Sequence, residues 1–239
     1  MRSDAVQRVL EAEVTAARDR RAGQPPRVLD VGGGSGGFAV PLAAAGCLVT
    51  VIDPSPNALA TLARRAEDAG VGERISAVQG DADALEGVFA AGSAELVLAH
   101  GLLEVVDDVP ATVGALTAAL APGGALSVLV ANRYGAVLHR ALAGKLVDAR
   151  RLLDDEPVEG EQVRRWFDVP MLTDALTSAG LSIEVLQGHG VVADVLPGAV
   201  LDASQGAADA LVELELAAAS RPQLRDVAAR LHALARNTR

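Results

Sequence analysis

"VLDVGGGSGG", residues 28–37, places five glycines among the six residues 32–37, directly after a short apolar stretch that carries an acid, Asp30. Strand, glycine loop and helix in that order turn backbone N–H groups and a helix start toward a ligand. Two spacings coexist here. Gly32, Gly34 and Gly37 satisfy G-x-G-x-x-G, and Asp53 follows at the roughly 20-residue distance of a ribose-binding acid, the pattern of a dinucleotide site. Gly32, Gly34 and Gly36 also fit an acid-x-G-x-G-x-G frame with Asp30 as the acid. Charge separates the two. A pyrophosphate is an anion, welcome at a helix N-terminus and repelled by a nearby carboxylate. S-adenosylmethionine carries no phosphate and brings an ammonium and a sulfonium, which a carboxylate attracts. Asp30 therefore favours S-adenosylmethionine over NAD(P).

Outward from the loop, strands and helices alternate. Residues 4–22 read as an amphipathic helix with Val6, Val9, Leu10 and Val14 on one face, ended by "GQPP". "RVLDV" reads as a buried strand, "FAVPLAAAG" as a helix stopped at Gly46, and "CLVTVID" as the second strand. "SPNALATLARRAEDAG" is a helix with Ser55 as N-cap and Pro56 in its first position. "RISAVQGD", "AELVLAH" and "ALSVLVAN" follow as strands, the last two separated by the helix "VPATVGALTAALAPGG". Such alternation predicts a parallel sheet covered on both faces, with right-handed crossovers. After Asn132 the rhythm breaks. Residues 134–153 read as an inserted helix, "DDEPVEGEQ" as an exposed acidic loop, "VPMLTDALTSAG" as a helix, "LSIEVLQGHGVVADVL" as extended chain and 205–220 as a helix. Propensity in "RPQLRDVAARLHALARNTR" favours helix, while "RLHALAR" also fits an edge strand. The division expected is an N-terminal helix over 1–26 and one domain over 27–239, with 134–167 a helical insert over the acceptor side.

Composition narrows the class. Half of the 239 residues are apolar and only 2% are aromatic, so a core of alanine, valine and leucine is expected and disorder is not. The start lacks the apolar core of a signal peptide, no apolar run approaches the roughly 20 residues of a membrane span, and Cys47 stands alone, which together suggest a cytoplasmic protein. The net charge of −10 is uneven. Residues 28–110 carry three Arg against twelve acids, whereas 1–27 carry six Arg against four acids and 221–239 five Arg against Asp226. The middle would repel a polyanion and the ends would attract one. No histidine and cysteine spacing suggests a metal.

Asp53 ends the second strand, placed to accept both ribose hydroxyls, with Pro54 next to it. In "GDADAL", Asp81 follows the third strand and would take the adenine amino group, with Ala82 leaving room for the ring. Each acid singly could be a strand-end cap, but three after successive strands face the carboxyl edge, where open α/β sheets bind ligands. "VLDVGGGSG", "VIDPS", "GDADAL" and "ALAPGGALSVLV" resemble the class I S-adenosylmethionine-dependent methyltransferases over residues 27–131. The resemblance implies a Rossmann-like seven-stranded sheet with helices on both faces, whose last strand runs antiparallel between strands five and six. "RLHALAR" is that strand.

More narrowly, "LVLAHGLLEVV", "ANRYGAVLHRALAGKL" and "LVELELAAASRP" resemble the tRNA 5-carboxymethoxyuridine methyltransferases, which esterify a carboxylate on a wobble uridine. His100, Leu103, Glu104, Asn132, Gly135, Glu213 and Glu215 match that pattern, and Arg2 matches an early arginine for the methionine carboxylate. The family's N-terminal cover is expected to be missing. Its basic and aromatic hairpin groups are replaced by Gly190, Ala193 and Val195, leaving Asp194. A small acceptor, carboxylate-bearing or otherwise, is therefore expected ahead of tRNA. A non-catalytic cofactor-binding protein is the further alternative. His100, after strand four, would contact the cofactor, orient the acceptor, or act as base for a hydroxyl or amine. A carboxylate needs no base, and Arg133 would clamp it, with Tyr134 lining the pocket. His139 and His232 read as packing or surface residues.

Overall fold

The computed structural model describes residues 4–81, 89–156, 165–196 and 206–238. Its strands are β1 (Arg27–Val31), β2 (Leu48–Asp53), β3 (Ile75–Gln79), β4 (Ala94–His100), β5 (Leu120–Ala131), β6 (Leu181–His189) and β7 (Arg230–Asn237). They form one sheet in the order β3-β2-β1-β4-β5-β7-β6. Neighbours from β3 to β5 pair parallel, and β7 runs antiparallel to both β5 and β6. "RLHALAR" is thus a strand despite its helical propensity. Slotted between two strands it buries both faces, and tertiary pairing overrides the local preference.

The helices are α1 (Ala5–Arg20), α2 (Ala39–Ala44), α3 (Pro56–Asp68), α4 (Val109–Ala119), α5 (Arg133–Leu142), α6 (Leu146–Leu153), α7 (Val169–Ser178), α8 (Ala207–Ala219) and the single turn α9 (Pro222–Arg225). Ser55 caps α3 by accepting from the Ala58 amide, as read from sequence. Adjacent strand residues point to opposite layers. Val28, Val51, Leu96, Leu98 and Leu234 pack with Val6, Leu10 and Val14 of α1 and with Leu42 and Leu62. Leu29, Val97, Leu126, Val128 and Leu231 pack with Val113 and Leu116 of α4 and with Leu172 and Leu176 of α7. Charge also ties α1 down. Glu13, 3% exposed, accepts from Arg236 at 2.8 and 2.7 Å and from Arg20 at 2.6 Å.

Three boundaries differ from the sequence reading. The expected helix over 134–153 is two helices, interrupted at Gly144, whose φ is +75°. The extended run after Leu181 stops at His189, because Gly190 turns with φ +67°. β5 begins at Leu120, so Pro122, Gly123 and Gly124 lie in the strand rather than closing the helix. Between β1 and β4 the winding of the sheet reverses, which opens a crevice at the carboxyl edge. The glycine loop leaves β1 on one side of that crevice, and His100 ends β4 on the other.

Candidate active site

The glycine loop is built around Asp30. The side chain is 2% exposed, and Oδ2 has no hydrogen-bond partner among the described residues. A Cβ at Gly33 would stand 2.5 Å from that oxygen, so only glycine lets the loop close over the acid. Burial, and then the negative charge of Asp53, push the Asp30 carboxyl up to about 7. A desolvated carboxylate with an unused oxygen is a place for a cation, and the ammonium end of S-adenosylmethionine has that chemistry. Gly32, Gly34 and Gly36 all turn with positive φ.

Asp53, 8% exposed, accepts from the Gly34 amide at 2.9 Å through Oδ2 and from the Ser55 amide at 2.9 Å through Oδ1. Each oxygen keeps a further lone-pair direction for a hydroxyl. The acid thereby locks the loop to the end of β2. Pro54 follows in an exposed position, its carbonyl receiving the Gln79 amide at 3.4 Å. Asp81 is exposed two residues past β3. Ala82 and Arg2 lie outside the described residues.

His100 is held in a buried polar chain that the sequence did not reveal. Its Nε2 lies 2.9 Å from Ser127 Oγ, which lies 2.9 Å from His232 Nε2. His232 Nδ1 in turn faces Gln187 Nε2 at 3.0 Å. The four side chains cross β4, β5, β7 and β6 in sheet order. Burial first, then neighbouring histidines, push His100 and His232 each down to about 3, so both rings are neutral at pH 7. The Phe38 ring, just after the glycine loop, meets His100 edge-on at 4.4 Å between centroids. His232 is fully buried and hydrogen-bonded on both ring nitrogens, where the sequence suggested a packing or surface residue.

Beyond β4, Glu104 is 6% exposed and accepts the Ala131 amide at 2.7 Å, which fastens the post-β4 loop to the end of β5. Burial, the largest influence, pushes its carboxyl up. Asn132 caps α5 by accepting from the Tyr134 amide and donates to the carbonyls of Asp226 and Ala228. A Cβ at Gly135 would fall 2.1 Å from the Ala228 carbonyl oxygen, so glycine permits α5 to dock there. Glu215 gathers the amides of Val191, Val192 and Ala193 at 2.5 to 3.0 Å and holds the turn after β6. These matches to the family pattern are scaffold positions around the site.

Arg133, the expected acceptor clamp, has acidic partners of its own. Arg133 pairs with Asp168 at 2.5 Å and with Asp155 at 3.2 Å, and its side chain is 13% exposed. It ties the start of α5 to the start of α7 instead of presenting an open guanidinium. Tyr134 is exposed in the first turn of α5, its ring under the Arg133 guanidinium at 5.4 Å. Positive charge collects instead near the end of α5 and beyond it. A cavity of about 430 Å³ opens at the end of β5 against α5 and the start of β7. Arg140, Lys145 and Arg230 line it with His139, Trp166 and Asp194. Arg140 stacks over Trp166 at 5.2 Å. Sequence reasoning missed this group because its members lie in four stretches of the chain, 139–145, 166, 194 and 230. The one available signal was the charge surplus of the C-terminal stretch.

Comparison with known proteins agrees with this geometry. Residues 28–124 match a family model described as a methyltransferase domain. The ubiquinone biosynthesis O-methyltransferase of Methylocella silvestris is 35% identical over 186 residues, covering 76% of this chain and 68% of that protein. The tRNA 5-carboxymethoxyuridine methyltransferase of Escherichia coli K12 is 33% identical over 158 residues, covering 61% and 59%. A solved S-adenosylmethionine-dependent methyltransferase from Mesorhizobium loti shares the fold at a TM-score of 0.60 and 20% identity, over 97% of each chain. With its glycine loop, strand-end acids and antiparallel seventh strand, the chain belongs to the S-adenosylmethionine-dependent methyltransferases.

Proposed function

We propose that this methyltransferase acts on a small carboxylate-bearing acceptor seated in the cavity at the end of β5. The observation that carries the reading is the cationic lining, in which Arg140, Lys145 and Arg230 gather with a single acid, Asp194, among the described lining residues. A volume of about 430 Å³ suits a small molecule, and Trp166 offers an aromatic wall. The cavity opens at the carboxyl end of β5, on the same edge as the glycine loop, with the end of β4 between them.

Asp30, Asp53 and the glycine loop would hold the cofactor, which supplies a methyl group already activated on a sulfonium. A carboxylate brings its own lone pair and loses no proton, so the protein need not provide a base. Its residues orient the acceptor and keep water out. The basic lining sets the carboxylate against the methyl donor and offsets the acidity of residues 28–110.

A tRNA acceptor is the second reading, favoured by the name of the Escherichia coli relative. The replaced groups at Gly190, Ala193 and Val195 weigh against it. The test is methyl transfer from labelled S-adenosylmethionine to three acceptors: aromatic carboxylates, phenols, and tRNA bearing the unesterified base. Ester formation on a carboxylate is expected. Lys145→Ala and Arg230→Ala should each lose about 10- to 100-fold in kcat/KM, as a charged hydrogen bond is worth about 1.5–3 kcal/mol. Turnover on tRNA with none on any carboxylate would replace this reading with the second.

A further inference from the structure

The chain Gln187–His232–Ser127–His100 has a direction. Ser127 has one hydroxyl hydrogen and stands between two ring nitrogens, His100 Nε2 and His232 Nε2. It donates to one and accepts from the other, so only one of the two rings carries its proton on Nε2. Gln187 decides which. Its Nε2 faces His232 Nδ1 at 3.0 Å, and an amide nitrogen only donates. His232 Nδ1 is then the acceptor and its proton sits on Nε2. That N–H donates to Ser127, Ser127 donates to His100 Nε2, and the His100 proton is left on Nδ1.

His100 Nδ1 is buried and has no partner among the described residues. Because Nε2 is turned to β5, the opposite flank of the ring faces β1, the other neighbour of β4. Phe38 against the same ring places it beside the segment that follows the glycine loop. We propose that Gln187, His232 and Ser127 are positioning residues that present His100 as an Nδ1–H donor to a carboxylate oxygen of the ligand in the β1–β4 crevice. The oxygen assigned is that of the cofactor's amino-acid end, with a carboxylate on the methyl acceptor as the other source of the same chemistry. His100 then serves as a donor and not as a base.

Histidine tautomers are read directly from nitrogen-15 shifts of the full chain at pH 7, without ligand. His100 is expected as the Nδ1–H form and His232 as the Nε2–H form. In Ser127→Ala the relay is cut, and His100 should show a mixture of both forms while His232 stays as it was. S-adenosylhomocysteine should move the His100 Nδ1–H proton downfield, and 5′-methylthioadenosine, which lacks the amino-acid end, should not. Binding of both nucleosides is confirmed separately by calorimetry. A ligand-free His100 in the Nε2–H form overturns the direction of the relay. An equal response to the two nucleosides, or a response only when a carboxylate acceptor is added, overturns the assignment to the cofactor.

Discussion

Replacing Asp30 with asparagine should make the protein more stable at pH 8 and a poorer binder of its cofactor. The Asp30 carboxyl is pushed from an ordinary 3.8 to about 7, chiefly by burial. The folded state therefore holds a proton that the unfolded state has released between these two values. Stability falls as pH rises through that window, and above about 7 the penalty is complete. At 1.36 kcal/mol per pK step, it reaches about 4 kcal/mol in full and about 1.5 kcal/mol at pH 5. The substituted amide does not titrate. Part of its gain is offset by about 1–3 kcal/mol for an amide that keeps unpaired buried atoms. The pH-dependent part survives that offset: Asp30→Asn should gain about 3 kcal/mol more over wild type at pH 8 than at pH 5. Urea unfolding of ligand-free protein at the two pH values measures the difference. Calorimetry should show S-adenosylhomocysteine bound at least tenfold more weakly, since a neutral amide attracts an ammonium less. Wild-type binding should release protons below pH 7, because the cation lowers the Asp30 pKa. A variant with the same pH dependence as wild type, or with undiminished affinity, would refute Asp30 as a strained acid kept for a cation.

Asp53→Ala should weaken S-adenosylhomocysteine binding by about 1–3 kcal/mol, from the lost hydroxyl acceptor and the loosened Gly34 amide. An unchanged Kd in a folded variant would reduce Asp53 to a strand-end cap. Arg236→Met leaves Glu13 buried with Arg20 as its remaining partner among the described residues, and urea unfolding should show a loss of about 3 kcal/mol. Arg133→Met should behave as a stability variant, destabilised by about 3 kcal/mol because the buried Asp168 loses its guanidinium. A selective loss of kcat/KM without loss of stability would restore Arg133 as an acceptor clamp.

The layout of this protein up to Asn132 was legible from sequence, because its determinants are local. Apolar periodicity, Ser55 at a helix start and acids near the ends of the first three strands are features a few residues long. The electrostatic choice of cofactor was legible too, since Asp30 lies two residues before the first glycine. The seventh strand was readable only through family resemblance, because its own propensity points to helix and its pairing with β5 and β6 decides otherwise. Side-chain partnerships across the sheet were not legible at all. Arg133 meets Asp168, and His100 meets Ser127, His232 and Gln187, only because the strand order brings β4, β5, β7 and β6 side by side. The basic cavity arises in the same way from α5, the α5–α6 turn and the start of β7. Chain-local periodicity specifies elements. Which side chains share a desolvated space is set by packing between distant elements, and in this protein that packing decided which arginines line the cavity and which are spent on tying helices together.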